Sequence, residues 1–336
     1  MKQPLARFIK VSLTVLIITA VLFLSFAFFN AKNPAQTIST PSEQPAGRQI
    51  STPQAVILGI VEGLTEYLPV SSTGHLIIAQ YFMGMTRFSD HIGPLGRVID
   101  KDKMEAINSF DIVIQLGAIL AVVGLYRKRV GQMCGGLAGK NSQGLRLFSL
   151  LLVAFLPAAA VGLVLHKKIE QELFGPTAVA YALAAGGMLM IVVEHFWRKK
   201  QNRQFVTNVD KIFFWQAAAI GFAQVLAMWP GTSRSMITIL AGLVVGLDMI
   251  TAAEFSFLLA LPTLAGATLL SASEDWGILK EAAGVDGILI GLIVSGIVAA
   301  IAIKGFVKWL THHGLAPFGF YRIAAAIFLI WLGIGR

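Results

Sequence analysis

Apolar residues fall in long uninterrupted blocks along this chain. The first is "VSLTVLIITAVLFLSFAFF", Val11 to Phe29, and others follow at 54–82, 111–126, 145–165, 177–196, 212–246, 251–271, 286–304 and 318–335. A bilayer crossing needs about 20 such residues as a helix, so the blocks predict spanning helices. Two blocks differ from the rest. Those starting near 54 and 212 are broken in the middle by proline and a polar cluster, "LPVSSTGH" and "WPGTSRS", and each is followed by three unbroken blocks. Set side by side, "GIVEGLTEYLPVSST" and "GFAQVLAMWPGTSR" share a glycine and a polar residue three later, Glu62 and Gln224. Skipping one residue then pairs Pro69 with Pro230, Ser71 with Thr232 and Ser72 with Ser233. Broken helices at matching places in two halves mark a duplicated, transporter-like fold.

Composition sharpens this into a membrane protein. Of 336 residues, 56% are hydrophobic and only 13% charged, against about 25% charged in soluble domains. The net charge of +9 therefore reports topology and anionic lipid, and no nucleic-acid partner is expected. The single cysteine, Cys134, excludes an intramolecular disulfide and a Cys-rich metal site. Basic segments follow residues 126, 196 and 304, whereas 271–287, "SASEDWGILKEAAGVDG", is acidic and reads as a loop. Placing every basic segment inside makes both broken blocks enter and leave on one side. The predicted fold is an all-α polytopic membrane protein, an inverted repeat of a re-entrant helical hairpin plus three transmembrane helices. Residues 1–30 read as an extra N-terminal anchor, since the apolar run exceeds a signal-peptide core of roughly 7 to 15 residues. Residues 31–53, rich in proline, read as a flexible linker, and 54–336 as the membrane domain, with repeats at about 54–196 and 212–335.

The polar groups in the broken blocks need a use, because intramembrane charge is costly. Glu62 and Glu66 are four apart and share a helix face, where a divalent cation or an arginine would relieve their repulsion. Ser71, Ser72, Thr73 and His75 follow at a helix start, which suits an anion and sets a hydroxyl nucleophile within reach of a base. Arg234 is the only charge between Lys211 and Asp248, and its planar fork fits a carboxylate or phosphate. Ser233, Thr232 and Ser235 flank it. Together these are parts for binding and cleaving a phosphate ester.

"GIVEGLTEYLPVSSTGHL", "FDIVIQLGAILAV", "MWPGTSRS", "FSFLLALP" and "YRIA" closely resemble the bacterial undecaprenyl-diphosphate phosphatase family, also known for bacitracin resistance, from about residue 54 to the C-terminus. The resemblance implies hydrolysis of undecaprenyl diphosphate to undecaprenyl phosphate and inorganic phosphate, in the bacterial inner membrane with the site facing outward. It also implies six spanning helices and two re-entrant pairs. Matched position by position, Ser72 is the expected nucleophile with His75 as base or leaving-group acid, and the reverse, His75 attacking, stays open. Glu62 and Glu66 are the expected ligands of Mg²⁺ or Ca²⁺, Arg234 clamps the diphosphate, and Ser71, Thr73 and Ser233 line the substrate. Met236 stands where the commonest form of the arginine motif has glycine. The expected partners are the diphosphate lipid, the bilayer and a second copy of the chain. A transporter or flippase of polyprenyl phosphate lipids is the rival reading from another class.

Overall fold

The computed structural model describes residues 49–86, 101–173, 176–199 and 204–332. The anchor expected over 1–30, and the linker up to residue 48, lie outside the described residues. All named elements are helical: α1 (Thr52–Thr65), α2 (Ser72–Phe82), α3 (Lys101–Leu125), α4 (Arg127–Leu137), α5 (Ser142–Leu173), α6 (Pro176–Lys199), α7 (Phe214–Gln224), α8 (Arg234–Val244), α9 (Met249–Leu310) and α10 (Ala316–Trp331). Short 3₁₀ turns cover Val209–Lys211 and Val225–Met228. Five stretches among the described residues are long and apolar enough to cross a membrane: Glu105–Leu125, Ser142–Val164, Thr177–Lys199, Met249–Leu269 and Trp276–Leu310. This is the polytopic, all-α class that the hydropathy predicts. The last block forms α10, whose 16 residues fall short of the length that defines the other five.

Two segments depart from the sequence reading. The acidic stretch 271–287, expected as a loop, is helical within α9, and the backbone breaks only at Gly284 (φ 70°, ψ 159°). Apart from Gly277, Gly284 and Gly287 the stretch is rich in helix formers, so its acidity does not mark a turn. The basic segment after residue 126, also expected as a loop, forms α4. The linker expected to reach residue 53 ends sooner, since Gln49 and Ile50 both donate to Ala282 O at 2.9 Å and α1 starts at Thr52.

The two broken blocks fold alike, at one constant sequence offset. Ser51 N donates to Gln54 Oε1 at 2.8 Å, and Phe213 N to Gln216 Oε1 at 2.9 Å, opening α1 and α7. Ser71 (φ 75°, ψ 105°) caps α2, and Ser233 (φ 73°, ψ 113°) caps α8. Both helices end on a residue near φ −80°, ψ 0°, Met83 and Val245, followed by the positive-φ glycines Gly84 and Gly246. This register corrects the pairing made on the prolines. Ser71 matches Ser233, Ser72 matches Arg234, and no residue is skipped. The cap fixes the register because its hydroxyl must reach the amide three residues on, Gly74 N or Met236 N, whereas a proline can sit one place either way before it.

Small residues let the helices close up, the usual device where lipid removes the hydrophobic drive between them. α1 lies so tightly on the second limb of α9 that a Cβ on Gly63 would collide with the backbone oxygen of Ser295. One buried cluster, with Leu58, Phe110, Ile114, Leu279 and Ile288, packs α1, α3 and α9. A second, with Tyr67, Val70, Met236, Phe257 and Phe306, encloses the two turns that precede α2 and α8.

Candidate functional site

Those two turns meet, and the meeting builds the site. Ser235 Oγ donates to Leu68 O at 2.9 Å and sits 3.0 Å from Ser233 Oγ. From α10, the fully buried Arg322 donates to Pro69 O (3.4 Å), Gly231 O (2.9 Å) and Ala182 O on α6 (3.0 Å). One guanidinium thus satisfies the carbonyls of Pro69 and Gly231, which lie outside any helix, and ties both turns to α6 through Ala182 O. Ser71 and Ser233 hold left-handed backbone without being glycine, at about 1–3 kcal/mol each. Both turns are held by contacts from elsewhere in the chain.

The ion pair that the sequence anticipates is present. Arg234 Nη2 lies 3.0 Å from Glu66 Oε1, with side chains 9% and 7% exposed. Its Nη1 donates to Ser256 O at 3.0 Å, and the guanidinium lies 5.6 Å from the Tyr67 ring centroid. Ser256 is fixed in turn by Thr238, whose Oγ1 is 2.6 Å from Ser256 Oγ. Glu66 uses its other oxygen, Oε2, to accept from Ser72 Oγ at 2.8 Å. The carboxylate therefore bridges a hydroxyl and an arginine.

His75 is placed differently from the expectation of a base on Ser72. Its Nδ1 is 2.7 Å from Ser71 O and its Nε2 is 2.5 Å from Tyr321 OH, with the two rings stacked at 5.5 Å. A carbonyl only accepts, so Nδ1 carries the proton and the neutral ring accepts from Tyr321 at Nε2. Ser72 is bonded to Glu66 and His75 to Tyr321, two separate pairs side by side. Thr73 is half-buried in the first turn of α2, and Ser71 Oγ accepts from Gly74 N. Met236, in place of a glycine, costs the turn nothing. It lies in ordinary helix past the cap, packed beside Gly186, and the unusual backbone belongs to Ser233.

Glu62 is fully buried, and neither of its oxygens has a hydrogen-bond partner. Glu66, Asp111 and Arg234 act on it electrostatically. Asp111 accepts from Gln80 at 2.6 Å through Oδ2, while its Oδ1 is unpartnered. These are hard oxygen donors of the kind Mg²⁺ and Ca²⁺ take. No group of three or more His, Cys, Asp or Glu side chains among the described residues is arranged to hold a metal by itself, so a cation held by these oxygens would need substrate or water to complete its shell.

Tyr321, Arg322, Asp111, Gln80 and Ser256 were not singled out as site residues from sequence. Asp111 and Arg322 carry the signal that found Arg234, a lone charge in an apolar block. Gln80 and Ser256 carry none, because their value lies in partners far along the chain.

The family model of Bacitracin resistance protein BacA matches residues 55–328. The chain belongs to this family. The BacA family match takes in both turns, the Glu66–Arg234 pair and Arg322. The chain is similar to the undecaprenyl-diphosphatase of Sorangium cellulosum, 46% identical over 279 residues, covering 83% of this chain and 85% of that protein. It is also similar to the undecaprenyl-diphosphatases of Wolinella succinogenes (42% over 281 residues, 83% and 98%) and of a Thermoanaerobacter species (41% over 279 residues, 83% and 96%).

Proposed function

We propose that this BacA-family protein is an undecaprenyl-diphosphate phosphatase, releasing inorganic phosphate and undecaprenyl phosphate in a bacterial cytoplasmic membrane. Family membership and the names of its relatives support the activity. The bridge from Ser72 through Glu66 to Arg234 carries the mechanism. Ser72 Oγ attacks the terminal phosphorus while its proton passes to Glu66 Oε2, to which it already donates. The bond from phosphorus to the bridging oxygen breaks and undecaprenyl phosphate leaves. Water then attacks the phosphoserine, giving up a proton as Ser72 regains its own, and inorganic phosphate departs. Arg234 changes partners along this path. A diphosphate that draws its guanidinium away strips Glu66 of its counter-ion, so substrate binding strengthens the base at the moment it is needed. His75, engaged at both nitrogens, orients the first turn of α2 and lies beside the leaving group, and its occupied lone pair disfavours direct attack on phosphorus.

Mg²⁺ or Ca²⁺ belongs to the proposal on Glu62 and Glu66, where it would neutralise charge on the diphosphate. Ser71, Thr73 and Ser233 line the substrate through the helix starts they occupy. The matched caps of α2 and α8 support an inverted repeat with two re-entrant hairpins and α10 as a sixth span, opening the site outward. Relatives named as diphosphatases give no support to the transporter reading. The deciding experiment is phosphate release from purified protein on undecaprenyl diphosphate, with rapid-quench trapping of radiolabelled phosphate on protein. Release by wild type, with a labelled serine that vanishes in Ser72→Ala, is the expected result. Wild-type release with an active Ser72→Ala would overturn the nucleophile, and no release at all would overturn the activity.

A further inference from the structure

Where α3 ends and α4 begins, a cavity of about 440 Å³ opens between Gly124, Leu125, Tyr126, Arg127, Lys128 and Arg129 on one side and Glu254 and Lys304 of α9 on the other. Its charges do not cancel. Arg129 is held by Asp210 (2.9 Å) and Glu254 (3.1 Å), so the one acid lining the cavity, Glu254, is already paired while three further cations line it. Arg127, Lys128 and Lys304 are exposed and form no ion pair with any described acid. The first three residues of α4 are Arg127, Lys128 and Arg129, and Tyr126 at its N-cap supplies no side-chain hydrogen bond. The helix start thus adds its own positive end to the cluster.

The space beneath is shaped for something other than water. A Cβ on Gly124 or on Gly305 would meet nothing within 4 Å. One turn further into the apolar layer, Leu120, Ile297 and Ile301 are 65%, 58% and 67% exposed. Cations above an open notch, with bare aliphatic side chains below it, match a phosphate carried on acyl chains.

We infer that this cavity binds the phosphate headgroup of an anionic phospholipid, with Arg127, Lys128 and Lys304 on the phosphate and Gly124 and Gly305 leaving room for the glycerol. The site is separate from the Glu66–Arg234 centre and uses none of its residues. A direct packing path nevertheless joins them, since Tyr126 lies 6.3 Å from the Phe257 ring, Phe257 lies 5.4 Å from Tyr67, and Tyr67 carries Arg234.

The test uses the full chain, purified and offered equal phosphatidylglycerol and phosphatidylcholine, with retained lipid counted by native mass spectrometry. Wild type should retain phosphatidylglycerol preferentially. Retention should fall about tenfold in Arg127→Gln with Lys304→Gln, and comparably in Gly124→Trp, which fills the notch without changing charge. Lys140→Gln with Lys280→Gln, equal in charge change but on residues that neither line the cavity nor adjoin its ion pairs, should retain it as wild type does. Phosphatase activity preserved in all three variants shows that each is folded. Displacement by excess inorganic phosphate would assign the site to the free anion, and persistence assigns it to the lipid. Equal loss in the remote variant, or full retention in Gly124→Trp, would overturn the proposal.

Discussion

Glu66 and Arg234 pair at 3.0 Å in a nearly dry site although they come from opposite halves of the chain. Each would be an uncompensated buried charge without the other, which is far more costly than leaving both in place. The arginine is also fixed by Ser256 O through its second terminal nitrogen. Arg234→Lys keeps the charge and loses that fork, so it should fail to rescue activity. Both Arg234→Lys and Arg234→Ala should lower kcat by about 10²–10³-fold, measured as phosphate release under saturating lipid. Wild-type kcat in the lysine variant would refute the bidentate role.

Glu62 is a fully buried carboxylate with neither oxygen hydrogen-bonded, and it carries the proposed cation. Chelator should suppress phosphate release, and Mg²⁺ or Ca²⁺ should restore it. In Glu62→Gln the concentration of metal needed for half-maximal rate should rise about tenfold or more. A chelator-insensitive wild type would remove the cation from the mechanism.

Arg322 and Tyr321 are neighbours with different work. Arg322→Ala removes the hydrogen bonds that hold the carbonyls of Pro69 and Gly231, which lie outside any helix, and should lower stability by about 3 kcal/mol. Thermal unfolding in detergent reads this as a fall in midpoint. Tyr321→Phe removes only the hydroxyl on His75 Nε2. Its midpoint should hold while kcat falls about tenfold, and combining it with His75→Ala should be no worse than His75→Ala alone.

Orientation can be read with the native thiol. Cys134 on α4 is exposed, and in the proposed topology the basic charge around it assigns it to the cytoplasmic side. An impermeant maleimide should label wild-type cells only after lysis. Lys280→Cys in a Cys134→Ser background, on the far part of α9, should label in intact cells. The opposite pattern would invert the proposed topology.

Much of this was legible in the residues. The blocks of hydropathy predict the five long apolar helices, and the two polar interruptions point to residues that the fold brings together, because lone charges in hydrocarbon demand partners and Glu66 and Arg234 are each other's. What could not be read was distance through space. His75 lies three residues from Ser72 in sequence yet bonds Tyr321, 246 residues away, and spacing alone could not tell those partners apart. The helix through 271–287 was missed because charge was taken as a turn signal, when only Gly284 actually breaks the backbone. The register between halves was missed by one residue because proline is conspicuous in a sequence and a serine with positive φ is not.

That register carries an evolutionary reading. From Ser51 to Thr86 and from Phe213 to Asp248 the two segments count off residue for residue, with no insertion or deletion. A one-residue change of length would turn every later side chain of α2 or α8 by about 100° and scatter the cap, so the shared geometry requires the shared length. Side chains at matched places have drifted freely by comparison: Glu62 against Gln224, Glu66 against Met228, Ser72 against Arg234. The two turns thus share one backbone and differ in what it carries, a hydroxyl at Ser72 where the other half presents the guanidinium of Arg234.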